Sequence, residues 1–174
     1  MSLQLITNNT ILFHMKTIYL AGGCFWGMEA YYKCLNGIID TEVGYANGNT
    51  INPKYEDLKK HIANHAETLK LVYDEKVISL IEILNSYLSV IDPYSVNHQG
   101  EDYGEQYRTG VFSTDEKELE EIHLFFKEKE KEYNKGPFAI LIEPLKNFYP
   151  AEEYHQDYID KNPHGYCHIK LPKK

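Results

Sequence analysis

Apolar and polar positions along this chain switch repeatedly between a two-residue and a three-to-four-residue period. Thr17-Ile18-Tyr19-Leu20-Ala21 is a short apolar run that reads as a buried strand. Two glycines, Gly22 and Gly23, follow and allow a tight turn. A helix is then predicted from Phe25 to Cys34, stopping near Asn36-Gly37. Residues 38–46 read as a strand with Ile39, Thr41, Val43 and Tyr45 on one face, closed by a turn at Asn47-Gly48-Asn49. Asn52 to Leu58 has the form of a short helix started by Pro53. From Glu67 to Tyr73 the pattern alternates, with Leu69, Leu71 and Tyr73 together. Ser79 to Val90 is strongly amphipathic, its apolar positions including Leu80, Ile81, Ile83, Leu84, Tyr87 and Leu88.

Residues 92–107 are polar and read as a long loop, a length that in compact domains is often functional. A strand over Arg108–Phe112 leads into a capping box, Ser113-Thr114-Asp115-Glu116, and a charged helix to about Tyr133. Phe138–Ile142 is predicted as a further strand and Ala151–Tyr158 as a helix; the chain after Pro163 is irregular. Strand–helix–strand twice over is the split βαβ pattern, so the expected class is α/β (α+β): a ferredoxin-like core with a mixed sheet, extra helices and a fifth strand. Residues 1–14 are expected to be an extension open to disorder, 15–163 the catalytic domain, and 164–174 a tail.

Composition narrows the function classes. At 174 residues, 43% apolar and 25% charged, the chain suits one soluble domain with a good core. A net charge of −8 argues against nucleic-acid or anionic-membrane partners, which need basic patches. Three scattered cysteines do not make a disulfide scaffold. Without an export signal or a run of transmembrane length, a cytoplasmic protein in a reducing compartment is expected, acting as a monomer.

The strand–turn–helix around Cys24 carries the candidate chemistry. The cysteine falls at a helix N-terminus, where free N–H groups and the dipole favour thiolate. Phe25 and the single tryptophan, Trp26, follow it, and suit an apolar substrate group held against a nucleophile. An inert buried cysteine is the bland alternative.

The wording of the motif decides between them. Gly-Cys-Phe-Trp-Gly-Met-Glu-Ala at 23–30 resembles the active-site signature of the A-type peptide methionine sulfoxide reductases. Ordered matches continue from Thr17 to Cys167. Asn52-Pro53-Lys54-Tyr55 is similar to the family's Asn-Pro-x-Tyr. His65-Ala66-Glu67 is similar to its Gly-His-Ala-Glu, with Asn64 for the glycine. Asp102-Tyr103-Gly104-Glu105-Gln106-Tyr107-Arg108 is similar to its Asp-x-Gly-x-Gln-Tyr-Arg, with Thr109 for the following serine. Phe148 to Tyr158 also has the family's wording and is expected to pack under the site. The resemblance implies reduction of methionine-S-sulfoxide, protein-bound and free.

In that reading Cys24 attacks the sulfoxide sulfur and Glu67 donates the proton, its carboxyl pKa raised by apolar rings. Phe25 and Trp26 hold the S-methyl group. The Tyr55 and Tyr107 hydroxyls bind the oxygen, and Asp102 orients the substrate or a nearby water. A sulfenic acid left on Cys24 must be resolved by a second thiol. Along a helix, Cys34 lies about 15 Å from Cys24, beyond the roughly 7 Å between Cα atoms that a disulfide allows. The resemblance of Asn162-Pro163-His164-Gly165-Tyr166-Cys167 to the family's Asn-Pro-x-Gly-Tyr-Cys implies Cys167 as the resolver, and thioredoxin (or dithiothreitol) as reductant, with no cofactor. Three rivals carry less: a metal site from His155, His164, Cys167 and His168, whose spacing fits no common zinc pattern; a cysteine hydrolase, which leaves Glu67 and the aromatics without purpose; and a redox-inactive peptide-binding module.

Overall fold

A computed structural model describes residues 14–172. The expectation for the N-terminal extension therefore falls, apart from His14, outside the described residues. Six strands form one sheet: β1 (Met15–Gly22), β2 (Ile38–Ala46), β3 (Ala66–Asp74), β6 (Thr109–Ser113), β7 (Leu141–Pro144) and β8 (Phe148–Pro150), in the order β7-β6-β1-β3-β2-β8. β4 (His98–Gln99) and β5 (Asp102–Tyr103) make a separate ribbon. The helices are α1 (Phe25–Tyr32), α2 (Tyr55–Lys59), α3 (Leu80–Val90), α4 (Glu116–Tyr133) and α5 (Tyr158–Lys161), with single 3-10 turns at Glu105–Tyr107 and Glu153–His155.

β1 is antiparallel to both β3 and β6, and β2 is antiparallel to β3. The units β1–α1–β2 and β3–α3–β6 thus interleave, which is the split βαβ arrangement expected. β6 and β7 are parallel, so the sheet is mixed. Side chains alternate along β1: Ile18 and Leu20 enter the main core with Met28 and Tyr32 of α1, Leu84 and Tyr87 of α3 and Ile122 and Phe126 of α4. Ala21, on the opposite face, joins a small cluster with Ala46, Ala66 and Phe112.

Several predicted elements shift, each for a visible reason. A bulge lies between Ile38 and Asp40 of β2, and it turns Ile39 outward to 54% exposure rather than onto the Val43–Tyr45 face. α1 stops at Tyr32, with Lys33 as its C-cap. α2 starts at Tyr55 behind Lys54, two residues later than the proline suggested. The cap of α4 is Asp115, which accepts from the Lys117 and Glu118 amides; Ser113 instead donates to the Glu118 carboxylate at 2.6 Å. Phe138–Ile140 does not enter the sheet. The Phe138 and Ala139 amides bond to Glu130 Oε1 and the Pro93 carbonyl, so the strand is displaced to Leu141–Pro144.

The helix predicted over Ala151–Tyr158 is absent. Phe148–Pro150 pairs with β2, and the Ala151 amide extends that edge to the Val43 carbonyl. The Gln156 side-chain amide then bonds both the Val43 N–H and its carbonyl, standing in for a strand. Asp157 is left-handed at φ 54, which ends any helical continuation there. The residues 92–107, read as loop, carry the β4–β5 ribbon and a 3-10 turn that present Asp102 and Tyr107.

Candidate active site

The end of β1 is fixed before the chain turns. The Tyr87 hydroxyl donates to the Ala21 carbonyl at 2.6 Å and accepts from the Gly110 amide. Gly23 then takes φ +81, and the Gln99 side chain packs where its Cβ would be. This places Cys24 as the N-cap of α1. The Trp26 and Gly27 amides reach the sulfur and favour thiolate, as the sequence suggested. The net effect is nevertheless the reverse: Cys24 is 7% exposed, and burial, followed by the nearby Glu67 carboxylate, pushes its pKa well above the ordinary thiol range. The resting residue is a thiol. Helix-end polarity is legible in sequence, whereas burial is set by what packs over the turn.

Glu67 enters from β3, 2% exposed, and accepts the Phe25 amide at 3.1 Å. Burial raises its carboxyl pKa to about 8, outweighing that hydrogen bond, with Asp102 adding a smaller push in the same direction. The carboxyl is therefore protonated at neutral pH and sits beside the thiol. Tyr55 from α2 and Tyr107 from the 3-10 turn complete the polar side, their hydroxyls in contact with each other. Burial and Glu67 raise both phenols, so both stay protonated donors. Asp102 faces the same space, with Oδ2 buried and without a hydrogen-bond partner. Trp26, Tyr55, Asp102 and Tyr107 are half-buried, so this ring reaches solvent.

The apolar side is deeper than expected at one position. Phe25 is 1% exposed, packed on Tyr45 and His155, and only Trp26 reaches the rim. Trp26 is held by two groups that sequence reasoning did not assign. Its indole N–H donates to His155 Nδ1 at 3.0 Å, and its ring stacks on Tyr158 at 3.7 Å. His155 is buried, which lowers its pKa and keeps it neutral. Its Nε2 lies 3.7 Å from the Glu152 carboxylate without a hydrogen bond, and Glu152 accepts from the Tyr45 and Tyr154 hydroxyls and the Tyr55 amide. Buried Glu29 of α1 bonds Thr41 and the Asp157 amide. The segment 148–158 thus supports the site as expected, though not as a helix.

Arg108 clamps the opposite side, donating to the carbonyls of Asn64, Glu105 and Asn47. Asn64, which stands where the family has glycine, does not adopt a left-handed backbone. It exchanges side-chain hydrogen bonds with Asn49 instead.

All three cysteines are free thiols. Cys34 is exposed beyond the far end of α1, donating to the Ala30 carbonyl. Cys167 is half-buried and donates to the Ile169 carbonyl. Its sulfur rests over the first turn of α1, 3.2 Å from where a Gly27 Cβ would lie. Among the described residues, no group of three or more His, Cys, Asp or Glu side chains is arranged to hold a metal ion, and His155 is engaged by Trp26.

The sequence model of a family described as peptide methionine sulfoxide reductase matches residues 16–174. The chain belongs to that family. A relative from Clostridium botulinum, the peptide methionine sulfoxide reductase MsrA, is 54% identical over 157 residues, covering 90% of this chain and 99% of its own. The reduced form of Mxr1 from Saccharomyces cerevisiae superposes with a TM-score of 0.84 at 40% identity, over 92% of this chain and 93% of that one. A second Mxr1 structure, in complex with Trx2, matches at a TM-score of 0.61 and 31% identity, covering 92% of each chain. The reductase therefore shares both sequence and fold with A-type enzymes along nearly its whole length. Among its described residues no helix is long and apolar enough to cross a membrane.

Proposed function

We propose that this reductase converts methionine-S-sulfoxide, in proteins or free, to methionine by direct attack of Cys24 on the sulfoxide sulfur. The observation that carries this is a buried carboxyl, its pKa pushed up to about 8, beside a buried thiol at the head of α1. Glu67 gives its proton to the sulfoxide oxygen as the Cys24–sulfur bond forms, and the proton lost by Cys24 replaces it. The Tyr55 and Tyr107 hydroxyls donate to the same oxygen, where negative charge grows. Asp102 orients the substrate or a water. Trp26, backed by Phe25, receives the S-methyl group. Oxygen then passes to Cys24 as a sulfenic acid and methionine leaves, so the cysteine gains the oxidation the methionine loses. An apolar wall facing a polar ring discriminates the two sulfoxide epimers.

Cys167 resolves the sulfenic acid. Its place over α1 favours it, as does the position of Cys34 beyond the far end of that helix. Thioredoxin reduces the resulting disulfide, as the Trx2 complex of Mxr1 suggests; no metal or cofactor is required. Peptide mapping after one turnover without reductant tests this. A Cys24–Cys167 bridge is expected, and a bridge from Cys24 to Cys34 would refute it. Cys24→Ser should abolish turnover, whereas a redox-inactive binder would survive that change.

A further inference from the structure

Cys167 faces a difficulty of its own. Burial raises its thiol pKa above the ordinary value, yet only the thiolate attacks a sulfenic acid efficiently. A base beside it would remove this obstacle, and none of the groups assigned so far occupies that place.

The next residue, His168, lies in a crevice built by glycines. Its Nε2 is 3.1 Å from where a Gly23 Cβ would be, and its Cβ touches the same point on Gly100 at 3.8 Å. A Cβ on Gly27 would lie 3.4 Å from His168 Nδ1 and 3.2 Å from Cys167 Sγ, so nitrogen and sulfur both pack against the same glycine of α1. Both ring nitrogens are buried without a hydrogen-bond partner, although one edge of the ring is turned towards the Gly22 carbonyl. A buried imidazole without a partner is unfavourable unless its lone pair is used. The nitrogen nearest Gly23 is Nε2. A proton there leaves the Nδ1 lone pair unused at the edge of the ring that packs, with Cys167 Sγ, against Gly27.

We propose that His168 is the general base of the resolving step. The inference rests on Cys167 being the resolver. Nδ1 takes the proton of Cys167, and the thiolate sulfur attacks the sulfenic sulfur of Cys24. The S–S bond forms as the S–O bond breaks, and the imidazolium returns its proton to the departing hydroxide as water. Cys24 is reduced from sulfenic acid to disulfide and Cys167 is oxidised from thiol, with no further reactant. Of the titratable groups facing the ring, Asp102 on β5 favours the imidazolium, and Tyr166 and Cys167 on its own segment are neutral in the resting state. Gly22, Gly23, Gly27, Gly100 and Gln99 add no charge. Burial lowers the pKa of His168, so the base form prevails at neutral pH.

The test is single turnover of the full chain with one equivalent of methionine-S-sulfoxide and no reductant, from pH 5.5 to 9. Methionine release reports the first step. Free-thiol counting and trapping with a cyclic 1,3-diketone report the second. His168→Gln keeps a donor for the Gly22 carbonyl and removes the base. Its methionine burst should match wild type, while sulfenic acid accumulates and disulfide formation slows at least about tenfold at neutral pH. The pH profile is the sharper readout. Wild-type disulfide formation should be flat above neutrality and fall in acid, whereas the variant should rise about tenfold per pH unit as Cys167 ionises unaided. Wild-type kinetics in H168Q, or a slowed reaction that keeps the wild-type profile, would overturn the assignment and leave only a packing role. Failure of the underlying reading looks different: in Cys167→Ser, the disulfide would still form, between Cys24 and Cys34.

Discussion

Glu67→Gln should stabilise the protein while disabling it. In the folded chain burial holds the Glu67 carboxyl protonated up to about pH 8, against an ordinary value of 4.5. An unfolded chain releases that proton near the ordinary value. Between the two, rising pH therefore favours the unfolded state, because the folded state alone keeps the proton. The stability linked to Glu67 is complete below pH 4.5 and has been lost by pH 8. Over that span the loss is about 5 kcal/mol, and at pH 7 about 3 kcal/mol, at 1.36 kcal/mol per pKa unit. E67Q has no proton to lose, and its amide oxygen still accepts the Phe25 N–H. Equilibrium urea denaturation at pH 5, 7 and 8.5 should thus show a gap between variant and wild type that widens by several kcal/mol. Loss of the acid should lower kcat by about 10²–10⁴-fold. Wild-type kcat should itself fall as pH passes about 8. A stability gap that does not change with pH would refute the buried-acid reasoning, and so would an E67Q variant with near-wild-type turnover.

Two further expectations follow from the same geometry. Burial raises the Cys24 thiol, whereas Cys34 is exposed, so iodoacetamide at pH 7.5 should label Cys34 at least about ten times faster than Cys24; first labelling at Cys24, read by mass spectrometry, would contradict the resting-thiol assignment. Arg108→Lys replaces a planar donor serving three carbonyls with a single ammonium, and should cost about 2–4 kcal/mol in denaturant unfolding while lowering kcat/KM through loosened Tyr107 and Glu67.

Local signals in the sequence carried much of this architecture. The apolar run before Gly22-Gly23, the alternation of Leu69, Leu71 and Tyr73, and the amphipathic spacing of Ser79–Val90 act over a few residues, and each element formed where expected. The sites of failure are those where distant groups capture the backbone. Glu130 and Pro93 hold Phe138 and Ala139 out of the sheet, and β2 draws Phe148–Pro150 and Gln156 to its edge. Cys24, Glu67, Tyr55, Tyr107 and Asp102 were legible because their motifs are contiguous. The partnership of Trp26 with His155 spans 129 residues, and no periodicity encodes it. His168 drew notice only as a possible metal ligand, and His155 besides that only as one residue of the segment expected to pack under the site. Their roles depend on the glycines and aromatic rings that enclose them, which only the folded chain brings together.

The most direct test of the central claim is stereochemical. Racemic methionyl sulfoxide in a short peptide is incubated with the protein and excess dithiothreitol, and the remaining sulfoxide is resolved on a chiral column. Disappearance of the S epimer alone, leaving half the starting material as pure R, is the predicted result. Consumption of both epimers at similar rates would contradict a site that divides methyl from oxygen between Trp26 and Glu67, and consumption of R alone would contradict the S preference that family membership implies.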